Sequence, residues 1–467
     1  MKKNGNLLIV CAVIALFMLL TWFVNAGSFS SGAYVSNGLN PIGIFDFLVL
    51  IFYVFNYKAM EVIYLLMVGG TYGVLSKTAG YQKLIDKSVK AIRGKEWIAM
   101  LILTLVIGLY ASITNDLLVI FGVVPFIVTV FLRCGTDRLT ALAAAFGGVF
   151  VGFVGQTFGT YGGASLLSAL NLEVNASILY ECLTFVVTYV LFNVFAISHM
   201  KKIGRVNETK YDMFMTPKLD ETKVKPKNRK KVWPLVTLFV IVLLIGICAF
   251  ISWDSSFGVT VFKDAFTKVS EFNIGSRPLF KQLLGSISEF GAWTVVFMGT
   301  VSFLATVIIG LVEKVKFNDF VDNFMNGTKK MYKVVFIYVL INSCYILAYY
   351  FPFALTIINS LLGKTFSFIA VFLAGVLGLF FSVEYELVGN TLGSYLATSY
   401  PEKIAEAGFA LHLGMGFATL LVPTSALLMI VLTYLDVPYK NWLSYIWKFA
   451  LSLLVALLVI MLLMVSL

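Results

Sequence analysis

Apolar runs of about 18–25 residues recur along the chain, from Leu7–Val24 near its start to residues 441–465 near its end. Backbone that leaves water must satisfy its own hydrogen bonds, so runs of this length specify an all-α polytopic membrane protein. Barrel strands would alternate polar and apolar residues, and these runs do not. Composition agrees, with 60% of the 467 residues hydrophobic and 13% charged. A soluble domain would have about a quarter charged.

The pattern predicts spans near 7–24, 59–76, 97–113, 116–132, 139–156, 176–198, 233–252, 291–311, 334–351, 365–382, 408–432 and 441–465, some of them arms of re-entrant hairpins. Segments 41–57 and 385–400 read as interfacial or re-entrant helices. Met1-Lys2-Lys3 before the first run resembles a signal peptide. The run is long, however, and Val24-Asn25-Ala26-Gly27 is a poor cleavage pattern, so an uncleaved first span is expected.

The net charge of +11 sits in loops and is not a nucleic-acid footprint. Residues 201–231 carry eleven Lys/Arg against four acids, and 77–95 carry six against Asp86. The positive-inside rule makes both segments cytoplasmic, as well as 313–333. Segments 25–58 and 253–290 read as external. The basic linker 199–232 divides the chain into membrane repeats 1–198 and 233–467. Each repeat has a basic stretch that contains an amphipathic segment, Tyr81–Asp86 or Phe317–Asp322. Each continues into an apolar region broken by polar residues, Ser112–Asp116 in one and Ile341–Cys344 in the other. This is a weak internal duplication, and carriers are commonly built that way with the site between the repeats. Lipid is a partner of the whole surface, and a homodimer is an open assembly.

Five cysteines and two histidines show no ligand spacing, so no disulfide framework, metal centre or cofactor is expected beyond a coupling Na⁺. Small buried cysteines are the expected reading. Trp442, Trp447 and Tyr349-Tyr350-Phe351 read as interfacial anchors. Asp137-Arg138 reads as a cytoplasmic turn closed by a local ion pair.

Four polar constellations interrupt the runs. Ser112, Thr114, Asn115 and Asp116 offer oxygens for a coupling cation, or else form a short external turn capped by Asp116. Asn342 and Ser343 are the second-half candidates for the same role. Gly155-Gln156-Thr157 through Thr160 and Gly163 reads as a hairpin tip around a substrate, or as a glycine-rich packing loop. In Val383–Thr391, Glu384 and Glu386 point to different helix faces, and Asn390 and Thr391 are candidate ligands. A cavity wall and an acidic span end at the surface are both open. Finally, Pro423-Thr424-Ser425 breaks the helical pattern of an apolar run and places hydroxyls at bilayer depth. His412, upstream, is either a proton carrier or a hydrogen-bonded packing residue.

The ending Pro423-Thr424-Ser425-Ala426-Leu427-Leu428-Met429 through Val437-Pro438-Tyr439 and Trp442-Leu443 resembles that of a bacterial carrier group. This group comprises the YfcC-like, C4-dicarboxylate and p-aminobenzoyl-glutamate carriers of the ion transporter superfamily. Pro41–Asp46 and Gly69–Leu75 are similar to the group's first external loop and glycine-rich second span. The group often has paired acids and an Asn-Pro tip where this chain has Asn115-Asp116 and Gly155-Gln156-Thr157, and a glycine where it has Ala426. The resemblance implies scaffold and transport regions, inverted repeats and an elevator-like movement. The loop charges start both halves in one orientation, at odds with inversion unless the first span is an extra element.

Together these readings point to a secondary active carrier of a small organic anion or amino acid, coupled to Na⁺ or H⁺. No Lys or Arg within the expected spans stands out as a counter-ion, so hydroxyls, amides and half-helix N-termini would hold a carboxylate. The alternative is a membrane-embedded enzyme or assembly factor acting on lipid-linked substrates. A passive channel is the third.

Overall fold

The computed structural model describes residues 5–30, 33–114, 118–158, 163–172, 177–215, 232–274, 277–285, 287–363 and 365–466. The first helix, α1 (Gly5–Phe23), leads into a hairpin of β1 (Ala26–Ser30) and β2 (Ala33–Gly38). Next come α2 (Ile44–Tyr57) and α3 (Ala59–Leu75), bent by 68° at Lys58, and the amphipathic α4 (Ala79–Ile92). Helix α5 (Glu96–Thr114) faces α6 (Val124–Cys134), which a short 3₁₀ turn precedes. Helix α7 (Arg138–Val154) is followed by the short α8 (Gly163–Leu170) and the long α9 (Ile178–Ile203). Beyond the linker run α10 (Trp233–Phe250) and three short helices, α11 (Trp253–Phe257), α12 (Val261–Ser270) and α13 (Leu279–Leu284). The remaining elements are α14 (Val295–Val312), α15 (Phe317–Tyr350), α16 (Phe353–Leu361), α17 (Phe368–Ser382), α18 (Tyr385–Ser399), α19 (Ile404–Thr419), α20 (Ala426–Tyr434) and α21 (Tyr439–Ser466). Among the described residues eight helices are long and apolar enough to cross a membrane, or nine with the bent pair as one span. The molecule is an all-α polytopic membrane protein.

Three of the twelve expected spans are hairpin arms. Residues 97–113 fall on α5 and residues 116–132 on the short α6, which packs on α7 and α4 and ends at the basic end of the molecule. There Arg133 pairs with Asp86 at 3.0 Å, and Arg93 donates to the Arg133 carbonyl at 3.3 Å. Residues 365–382 become α17, and α18 is its return arm. The open mouth of this second hairpin lies at the opposite end, where the Tyr400 hydroxyl donates to the Gly363 carbonyl at 2.5 Å and stacks on Phe366. Each hairpin packs tightly against a broken helix, α5 on α7 and α17 on α19. Glycines allow this: a Cβ on Gly152 would lie 2.4 Å from the Gly108 carbonyl oxygen, and one on Gly414 would lie 2.1 Å from that of Phe372. The fold therefore holds two hairpin-plus-broken-helix units entering from opposite ends. They meet where Gly416 of α19 lies against Phe153 and Val154 of α7.

The basic end is closed by a strap, residues 204–215. Asp137 does not pair with Arg138 as the sequence suggested. It caps α7 through the Thr140 and Leu139 amides and meets His199 at 3.2 Å. Arg138 instead grips the strap and the second unit together. It donates to Glu208, lies 3.6 Å over the Tyr211 ring, and donates to the Asp436 carbonyl just past α20 at 2.6 Å. Farther along the strap, Phe214 is buried against Tyr72, and Lys330 donates to the Met213 carbonyl at 2.7 Å. Burial pushes the neighbouring Asp212 carboxyl up to about 6, although Arg133 and Lys330 oppose the rise.

Candidate functional site

In the second unit the helix from α19 to α20 is interrupted at residues 420–425. Pro423 has no amide proton to continue the ladder, which leaves carbonyls exposed at depth. The family-like ending answers this need. The Trp442 indole donates to the Leu420 carbonyl at 2.8 Å and the Tyr439 hydroxyl to that of Leu421. Trp442 is fully buried, so it is a donor to the break and not an interfacial anchor; Trp447 is the exposed one. Asn6 of α1 fixes the same corner by bonding Val437 and Tyr439. Ser425 caps α20 by accepting from the Leu428 amide. Thr424 is 1% exposed, and its hydroxyl has no hydrogen-bond partner among the described residues.

The tip of the second hairpin lies nearby. Helix α17 ends on Val383 with φ +66° and ψ −36°. A β-branched residue in the left-handed region is strained, typically by about 1–3 kcal/mol, and such strain collects at functional turns. Glu384 follows as the N-cap of α18.

The facing wall is the α2–α3 bend. Lys58, with a side chain only 16% exposed, places its ammonium 2.9 Å from Glu384, 3.8 Å from Glu61 and 5.4 Å from the Tyr345 ring centre. These parts enclose a cavity of about 350 Å³ whose lining includes Lys58, Glu61, Glu384, Thr419, Ser425 and Tyr338. That is within the range of small-molecule sites, about 300–1,000 Å³. Lys58, Glu61 and Thr419 were not singled out from the sequence. Lys58 was placed in an external loop because it falls one residue before an expected span. The signal was present in Lys58-Ala59-Met60-Glu61, a basic and an acidic residue one turn apart between two apolar helices.

In the first unit the structure joins two constellations that were read apart. The Ser112 hydroxyl donates to the Gly155 carbonyl at 2.6 Å, and the Ser112 carbonyl accepts from the Thr157 amide at 3.1 Å. The end of α5 thus seals the break after α7. Thr114 is buried and bonds the Tyr110 carbonyl of its own helix. Gln156 and Thr157 line a second cavity of about 30 Å³ with Ser177, Glu181 and His412. Glu181 Oε2 and His412 Nε2 are buried there with no hydrogen-bond partner among the described residues. Asn115, Asp116 and Thr160 lie outside the described residues.

The other expected ligands are elsewhere. Asn342 and Ser343 do not break α15, which runs unbroken through them. Asn342 donates to the Tyr338 carbonyl and Ser343 to that of Leu340, both within the helix. Asn390 is exposed on α18, and Thr391 bonds the Leu387 carbonyl; neither lines the large cavity. Pro423 adjoins it through Ser425. Cys134 and Cys344 are buried, whereas Cys11 and Cys182 face outward, so burial accounts for only part of the cysteine set. Among the described residues no group of three His, Cys, Asp or Glu side chains is placed to hold a metal ion.

Comparison with known proteins gives one sequence match, to the DcuC family, "C4-dicarboxylate anaerobic carrier", over residues 5–389. The matched family is that of the C4-dicarboxylate carriers, and the match stops before Pro423. No curated protein matches the chain. Among solved structures, that of the Alcanivorax borkumensis YdaH transporter is similar at 13% identity and a TM-score of 0.42, covering 98% of this chain and 97% of that one. The chain, a multi-pass membrane carrier and not an enzyme, belongs to the C4-dicarboxylate anaerobic carrier family.

Proposed function

We propose that this protein moves C4-dicarboxylates across the bacterial cytoplasmic membrane as a secondary active carrier driven by Na⁺ or H⁺. The observation that carries this reading is the 350 Å³ cavity closed by a capped half-helix, a strained hairpin tip and a bent span. The N-terminus of α20 presents amides and a positive dipole end to that space, which suits a carboxylate. Ser425 adds a hydroxyl, while Gln156 and Thr157 line the smaller cavity of the first unit. The cavity walls belong to two bodies: Lys58, Glu61 and Tyr338 sit on the spans, while Glu384 and Ser425 sit on the hairpin and broken helix. Movement of the second body past the first would carry the site between the two membrane faces, which is the elevator motion. The two repeats would then be α1–α9 and α14–α21 in opposite orientation, with α10 as the extra element. The coupling cation is proposed to bind Ser112 and Thr114 at the end of α5 together with Asn115 and Asp116, which follow in the sequence, because a carboxylate within an apolar stretch needs a partner.

Counterflow in proteoliposomes tests the reading over a panel of C4-dicarboxylates, monocarboxylates and amino acids. Trans-stimulated uptake of dicarboxylates is expected, with Ser425→Ala reducing it about 10-fold or more through loss of one hydroxyl contact and one helix cap. Uptake without trans-stimulation means a channel. Exchange confined to amino acids removes the dicarboxylate assignment.

A further inference from the structure

We propose that Lys58 is the subsite for one carboxylate of the substrate, and that Glu384 occupies this subsite in the empty carrier. The inference rests on the carrier reading and names the residue that selects a dianion.

Among the described residues lining the large cavity, Lys58 is the sole basic side chain. An ammonium so far withdrawn from water is costly unless paired, and its pairing here is asymmetric. Glu61, three residues along the same bent span, stays 3.8 Å away. Glu384, at 2.9 Å, comes from the hairpin tip on the other side of the cavity. The strong partner thus belongs to an element that a conformational change can withdraw. It sits directly after the strained Val383, where the chain already departs from relaxed geometry.

The opposite wall holds the N-terminus of α20, capped by Ser425. The cavity therefore has two anion-attracting poles, a cationic side chain and a half-helix end. A ligand with two carboxylates satisfies both, whereas a monocarboxylate satisfies only one. Three carboxylates, those of Glu61, Glu384 and Glu386, line the cavity against this one ammonium, so a dianion enters only as Glu384 gives way. The substrate then replaces the Glu384 carboxylate on the same ammonium, and binding energy is coupled to movement of the tip. A lock that opens only for its ligand excludes an uncoupled leak.

The test is counterflow by purified protein in proteoliposomes, with succinate and its half-amide succinamate as probes. For Lys58→Gln a 10- to 100-fold rise in KM for succinate is expected, the size of one lost charge-assisted contact, together with loss of the preference over succinamate. Lys58→Arg keeps the preference. Glu384→Gln removes the competitor, so its KM for succinate is at or below that of the wild type. Unchanged discrimination in Lys58→Gln overturns the proposal, as do equal losses in both neutral variants, which would make the pair a structural bridge. Should Lys58→Gln not fold, Glu384→Gln decides alone: a KM raised 10-fold or more overturns the proposal. Wild-type protein that exchanges succinate while Lys58→Gln fails these criteria leaves the carrier reading standing. Wild-type protein that exchanges no C4-dicarboxylate overturns both.

Discussion

The two hairpin-plus-broken-helix units are built alike and closed differently. In each, glycines bring a hairpin arm to backbone contact with the broken helix, Gly108 and Gly152 in one, Gly375 and Gly414 in the other. In the first unit the break is sealed from within, because Ser112 of the hairpin bonds Gly155 and Thr157. In the second the seal comes from outside the unit, through Tyr439 and Trp442 of the next helix. The hairpin tip is then free to face the large cavity. One architecture thus yields a closed unit with a chamber of about 30 Å³ and an open unit with one of about 350 Å³. The choice of which residues satisfy the orphaned carbonyls decides which unit has room for a ligand.

The strongest way to break this comparison is to attack the shared contact. Gly152→Val and Gly414→Val each force a side chain into a backbone oxygen that a Cβ alone would approach to 2.4 or 2.1 Å. Both are expected to abolish monodisperse protein on size-exclusion chromatography, and survival of only one would show that the units do not depend on the same packing.

An intermediate effect separates the two seals. Ser112→Ala in the first unit, and Tyr439→Phe or Trp442→Phe in the second, each strip a buried carbonyl of a donor, at a cost of about 1–3 kcal/mol. Melting temperatures should fall in all three, but at a fixed, saturating level of coupling cation only the second-unit variants should also alter substrate-induced stabilisation, because their break borders the large cavity, whereas Ser112→Ala should shift only its dependence on the cation. Equal ligand effects in Ser112→Ala would erase the distinction.

The smallest effect sharpens a further asymmetry, since the described strap covers the basic end alone. Burial holds the Asp212 carboxyl up at about 6 against a usual value of 3.8. The folded state therefore favours the protonated form. Stability falls as pH rises from about 4 through 6 and is constant above that. Asp212→Asn mimics the neutral acid, so it should raise the melting temperature by about 2 °C at pH 8 and by less at pH 5. A larger gain at pH 5 would contradict this sign.

Much of the fold was legible because long apolar runs leave a chain few options, and proline at a run's centre marks a break wherever it falls. Pro423, Thr424 and Ser425 were found that way. Legibility ended where polarity and geometry part company. Asn342 and Ser343 look like an interruption, yet each donates to a carbonyl of its own helical turn, so α15 continues. Trp442 looks like an interfacial anchor, yet a carbonyl some twenty residues upstream needs its indole. Lys58 looks like loop because hydropathy averages over a window, and a single charge at a bend leaves no trace in the average. The pairing of Ser112 with Thr157 is a contact across 45 residues, which no local pattern encodes.

Arg138 lies at the first residue of α7 and holds the carbonyls that close α20. The start of one broken helix and the finish of the other are thereby pinned at a single guanidinium. One side chain thus ties together two units that enter from opposite ends, and its loss would release the start of one and the finish of the other at once.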